Sequence, residues 1–174
     1  MSVDYVTKEF AVDFELLIEF TKSPLTNDRT LAIVFTGYIE KYLGELIQYR
    51  MPGLNSKLRK KLFDPDGLLG PLSAKIDIAK VLQSIDDDAA ENMKLIASIR
   101  NRFAHDLRIS SFDHSDISTR VRKLRTDHLW KNLDAETAKK MRDAVSGYTN
   151  RGLFEVVAIN ICIGLHNVHH SLKN

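Results

Sequence analysis

Between Asp28 and Arg50 the apolar residues recur at three- and four-residue intervals for six turns, and this constrains the fold more than any other stretch. Leu31, Phe35, Tyr38, Tyr42, Leu46 and Tyr49 form one helical stripe, and Ile39, Leu43 and Ile47 widen it. A stripe that broad has to be covered on two sides, so the helix belongs at the centre of a bundle. Asn27-Asp28 offers its N-cap and Pro52-Gly53 its stop. No segment shows convincing strand alternation, and there is no internal repeat or low-complexity tract. The expectation is an all-α, single-domain bundle of about six or seven helices spanning residues 1–174.

The other elements follow from the same periodicity. Phe10, Phe14, Leu17 and Ile18 predict a helix over 8–22, ended by Ser23-Pro24. Asn55-Ser56 caps a short helix running to Leu62. Gly70-Pro71 opens a helix over 71–85, with Leu72, Ile76, Ala79 and Leu82 inward. The acidic run Asp86-Asp87-Asp88 suits the positive end of the next helix, over 88–105, which buries Met93, Ile96, Ile99 and Phe103. Asp113 or Ser115 caps a helix reaching about Leu124. Asp134 caps a last helical region, broken near Gly147 or Gly152, whose final part from Leu153 to Leu172 is apolar nearly all round. That part is either the most buried helix or half of an oligomer interface.

Composition narrows the class. At 174 residues the chain is long enough to bury a core unaided, and its net charge of +2 gives no global polyanion-binding character. The single cysteine, Cys162, sits among apolar neighbours and reads as a buried thiol in a reducing compartment. The N-terminus lacks the pattern of a signal peptide, and the run from Leu153 to Leu165 is shorter than the ~20 apolar residues that span a bilayer. A cytoplasmic protein without membrane association is expected.

Two basic patches stand out. Lys57, Arg59, Lys60 and Lys61 follow Arg50 with no acidic residue between, and Arg120, Arg122, Lys123, Arg125 and Lys131 cluster beside Trp130 with only Asp127 among them. Each reads either as a solvated face or as a surface for phosphate or a partner. No helix-turn-helix spacing accompanies them, so direct reading of DNA sequence is not indicated.

The turn-rich segment Phe63–Ser73 (FDPDGLLGPLS) sets the angle between two helices, with Pro65 fixing φ and Gly67 free to take a positive φ. It is not a calcium loop, because Leu68 stands at the fifth position and no glutamate at the twelfth. The stretch Leu95–Asp106 (LIASIRNRFAHD) gathers Arg100, Asn101, Arg102 and His105 at a helix end. An imidazole titrating near neutrality can move a 2′-hydroxyl proton, and an arginine can stabilise charge developing on phosphate. Against that, cationic side chains in a last turn also favour the helix dipole, and Arg100 or Asn101 can tie the helix to Asp66, Asp113 or Asp116. Arg100 and His105 are five residues apart, about 140° around a helix, so a shared site needs a deformed helix end or a second subunit. His166 and His170 have the i, i+4 spacing of a metal pair, but no third ligand is evident and no metal or cofactor is expected. There is neither a phosphate-cradling glycine loop nor a dinucleotide fingerprint.

Over residues 29–124 the order of elements, and above all Gly67–Ile76 with its GxLGxLSxKI pattern, resembles the mannitol operon repressor (MltR) family. That resemblance implies an all-helical transcriptional regulator without a recognisable DNA-binding domain, working through a partner regulatory protein, with nucleic acid contacts confined to the basic patches. IRNRFAH also resembles the HEPN superfamily motif of an arginine, a polar residue, three residues and a histidine. This second resemblance implies a homodimer that pools two motifs into a metal-independent endoribonuclease. Arg100 would stabilise charge, Asn101 would orient, and His105 would act as general acid or base.

Overall fold

The computed structural model describes residues 3–23, 25–130 and 134–171, and of these the side chains other than those of residues 3–11, 128, 130, 169 and 170. Eight α-helices and one 3-10 turn make up the described regular structure, with no strand among the described residues, so the fold is an all-α bundle. They run α1 (Val3–Lys22), α2 (Asp28–Tyr49), α3 (Ser56–Phe63), α4 (Leu72–Val81), α5 (Asp87–His105), α6 (Ser115–Val121), α7 (Ala135–Ser146) and α8 (Asn150–Ser171). The last helical region divides into α7 and α8 across residues 147–149, at the first of the two expected breaks, which brings the described helices to eight.

Central α2 packs on α4, α5 and α8, which accounts for its wide stripe. Leu31, Phe35, Ile39, Leu43, Leu46 and Ile47 are buried, while Tyr49, at the stripe's end, is 44% exposed. Asn27 caps it, accepting a hydrogen bond from the Thr30 amide at 2.9 Å. α8 is long and apolar enough to cross a membrane by length and composition. In the bundle it is a core helix, burying Leu153, Phe154, Val157, Ala158, Ile161, Cys162 and Leu165. Burial pushes the Cys162 thiol pKa upward. Phe154 stacks edge-on to Phe35 at 6.1 Å and lies 4.7 Å from Phe112, which meets Phe103 at 5.3 Å. These rings join α2, α5, α8 and the α5–α6 loop into one core.

Several boundaries differ from expectation. α1 begins at Val3 rather than near residue 8, and packs chiefly on α2. Leu17 is buried and Phe14 half-buried, while Phe10 falls among the side chains not described. Pro71 occupies the cap position of α4 instead of its first turn, and α4 ends at Val81. The chain then turns through Gln83, whose φ of 53° closes the helix with a Ser84 amide bond to the Ala79 carbonyl. Asp86 caps α5. Neither Asp113 nor Ser115 caps α6, because Asp113 instead accepts from Asn150 at 2.7 Å, holding the start of α8.

Candidate functional site

The turn ahead of α4 is built by backbone crowding. A Cβ at Gly67 would lie 2.5 Å from the Leu62 carbonyl oxygen, and one at Gly70 would lie 2.4 Å from that of Pro65. No glycine among the described residues has a positive φ, so Gly67 is needed for close approach and not, as its turn chemistry suggested, for handedness. Amide bonds from Gly67 to Asp64, Leu69 to Leu62 and Gly70 to Gly67 close the bracket at 2.7–2.9 Å. Lys75, only 7% exposed, then donates to the Gly70 carbonyl at 2.6 Å and to Glu40 at 2.7 Å. Its stem passes over Gly44 of α2, where a side chain would meet Lys75 Cε at 3.8 Å. The GxLGxLSxKI pattern is thus a bracket anchored to the central helix.

Glu40 extends the network to the RNxxxH stretch. Arg100 Nη2 lies 4.0 Å from Glu40, and Nη1 donates to Asn101 Oδ1 at 3.1 Å. Arg100 therefore points toward α2, not toward Asp66, Asp113 or Asp116. It is Arg102 that reaches Asp116, with Nε 2.6 Å from its carboxylate, and Arg120 shares that carboxylate at 3.1 Å. Asn101 and His105 are exposed, and the His105 side chain makes no hydrogen bond to a described residue. Next to it, Arg108 grips the Asp106 carboxylate through Nε and Nη2 at 3.0 and 2.9 Å, holding its pKa down at about 2. Within one chain, then, Arg100 and His105 do not converge.

Periodicity gave no hint of the residue that holds this helix end. Arg29, in the first turn of α2, donates to the carbonyls of Phe103, Asp106, Leu107 and Ile109. It gathers one carbonyl from the last turn of α5 with three from the cap and loop that follow, a task a guanidinium fork suits. Beside it, Asp28 accepts from the Phe112 amide at 2.8 Å and pairs with Arg151 at 3.2 Å. Arg-Asp pairs of this kind leave no mark in hydrophobic patterning, since each partner lies far along the chain. A basic residue in a helix first turn, where the dipole disfavours it, was the available signal.

The two basic patches differ. In the second, Arg125 is paired with Asp88 at 2.7 Å and with Glu91, Arg120 with Asp116, and Arg122 reaches the Tyr148 carbonyl at 3.5 Å. Lys123 is exposed, the Trp130 side chain is not described, and Lys131 lies outside the described residues. In the first, Lys57, Arg59, Lys60 and Lys61 are all exposed on α3 and form no ion pair with a described residue. Among the described residues no group of three His, Cys, Asp or Glu could hold a metal, and the His170 side chain of the suggested pair lies outside them. An apolar cavity of about 320 Å³ opens between the α4–α5 corner and α8, lined by Ile85, Met93, Leu129, Ile161 and Gly164, away from Arg100 and His105.

The fold is that of an MltR-like helical bundle. The chain is similar in structure to MtlR in the X-ray structure of the MtlR–HPr complex from Escherichia coli, with a TM-score of 0.56 over 94% of this chain and 99% of that one, at 15% sequence identity. No protein-family model and no curated protein sequence matches it.

Proposed function

We propose that this chain is a cytoplasmic MltR-like regulator of repressor type, one domain throughout, that acts as a homodimer by binding a protein partner and not by reading DNA sequence. The observation that carries the reading is the end-to-end likeness to a protein solved in complex with HPr. The partly neutralised second patch supports it too, because Arg120 and Arg125 spend their charge on Asp116, Asp88 and Glu91. Titration calorimetry of the purified chain against HPr of its own organism tests this directly. Saturable one-to-one binding is expected, and a tight, sequence-specific gel shift with operator DNA by the chain alone would overturn it.

A second reading has one observation in its favour, the exposed and unbonded His105. Facing a second copy, His105 with Arg100 and Asn101 would form a metal-independent endoribonuclease site. RNA incubated in EDTA should then yield 2′,3′-cyclic phosphate ends, and His105→Ala and Arg100→Ala should abolish them. Intact RNA at high protein concentration removes this reading.

A further inference from the structure

α3 is the only α-helix among the described residues with no buried side chain. Among the described residues it packs extensively against no other helix. Its charges also oppose its own formation, since Lys57 sits three and four residues from Lys60 and Lys61 and like charges at those spacings destabilise a helix. Yet it is held at both ends. Asn55 Oδ1 accepts from the Leu58 amide at 2.9 Å at its start. At its end the carbonyls of Lys61 and Leu62 lie against Gly67, and the Leu69 amide donates to Leu62 at 2.7 Å. Lys75 ties that bracket to Glu40 on the central helix. A helix that lends the core only the half-buried Phe63 at its end, repels itself and is nevertheless braced is one held out for contact.

We infer that α3 is a docking helix for a protein partner with an acidic face. The inference rests on the reading that the chain acts through a protein partner, and adds the surface and its chemistry. Lys57, Arg59, Lys60 and Lys61 supply four exposed cations along a helix about 12 Å long, with no acidic residue from Leu46 to Phe63 to offset them. Leu58, 43% exposed, stands among them. A carboxylate-rimmed apolar depression would meet both features, whereas a phosphate backbone has no use for the leucine. The net charge of +2 is small, and in the other patch Arg120 and Arg125 are already paired with carboxylates, which weakens the case for a nucleic acid.

The test uses the full chain and fluorescence anisotropy with three probes: an amphipathic helical peptide of glutamates and leucines, HPr of the same organism, and duplex DNA of arbitrary sequence. The charge-reversed variant Lys57→Glu/Arg59→Glu/Lys60→Glu/Lys61→Glu and the variant Leu58→Ser alter only exposed side chains, so the fold is retained and is checked by circular dichroism. Peptide affinity should fall at least about tenfold in the charge-reversed variant and a few-fold in Leu58→Ser, and fall with added salt. Arg122→Glu/Lys123→Glu should leave it unchanged. The inference is overturned if the wild-type chain ignores the peptide, if reversal leaves peptide binding intact, or if DNA binds more tightly than peptide. Equal HPr binding by wild type and reversed variant would remove the docking helix and keep the partner reading. Peptide binding that depends on α3 without any HPr binding would do the opposite.

Discussion

Removing the Arg29 guanidinium should loosen the end of α5 and with it the RNxxxH stretch. Of the four carbonyls it serves, those of Phe103 and Ile109 belong to residues with no solvent exposure. The other two belong to Asp106 and Leu107, the latter 85% exposed, so water can replace the arginine there. A buried acceptor left without a donor costs ~1–3 kcal/mol, and the exposed pair adds little. Arg29→Ala should therefore destabilise by about 3 kcal/mol, lowering Tm by roughly 6–12 °C for a domain of this size. Urea unfolding at neutral pH measures the first figure and a calorimetric scan the second. Hydrogen exchange should accelerate locally at residues 103–112, where α5 ends and the Phe112 amide meets Asp28. Arg29→Lys, which keeps the charge but not the fork, should fall between. A loss below about 1 kcal/mol for Arg29→Ala would refute the claim that this side chain satisfies the helix end.

Three further outcomes follow from individual geometries. Gly70→Ala must push a methyl into the carbonyls of Asp64 and Pro65, so it should cost at least ~1–3 kcal/mol in urea unfolding and disturb amide shifts in α3 and in the turn, both visible by NMR. Gln83→Gly removes a side chain from a φ of 53° and should raise stability by up to about 1 kcal/mol, seen as a higher denaturation midpoint at unchanged slope. The Asp106 carboxyl, depressed to about 2 chiefly by its bond to Arg108, should titrate near that value by NMR. A depressed carboxylate adds stability above the unfolded value near 4 and loses it as pH falls toward 2. Arg108→Ala should return the Asp106 titration to the ordinary carboxylate range.

Where hydrophobic spacing sets the structure, the sequence was readable. The α2 stripe up to Ile47, the Asn27, Asn55 and Asp134 caps, the acidic start of α5 and its buried face all appear as their residue types and intervals predict. Helix ends were harder, because they depend on which partner a polar side chain finds. Asp113 could have capped α6 by local chemistry, but Asn150 takes its carboxylate from 37 residues away. The polar cluster at the end of α5 divided for the same reason. Arg100 goes to Glu40 and Arg102 to Asp116, and neither choice is encoded within the stretch that contains them. His105 stayed exposed, a result composed of missing contacts, which no local motif can announce.

Shape and chemistry therefore come from different parts of this chain. Apart from the exposed Ser73, the defining positions of Gly67–Ile76 have structural duties: two glycines for backbone approach, Leu69, Leu72 and Ile76 for the core, Lys75 to bind the turn to Glu40. A pattern so fully occupied with holding two helices at an angle specifies the fold of which it is part, and two proteins can share it while binding different partners. What the bracket leaves free is the exposed surface of α3, where four cations and a leucine contribute nothing to the core. Substitution there would change the partner without changing the bundle, whereas substitution at Gly70 would change the bundle first. A search for function should accordingly vary α3 and the exposed side of α5 around His105, and treat the most distinctive motif as scaffold.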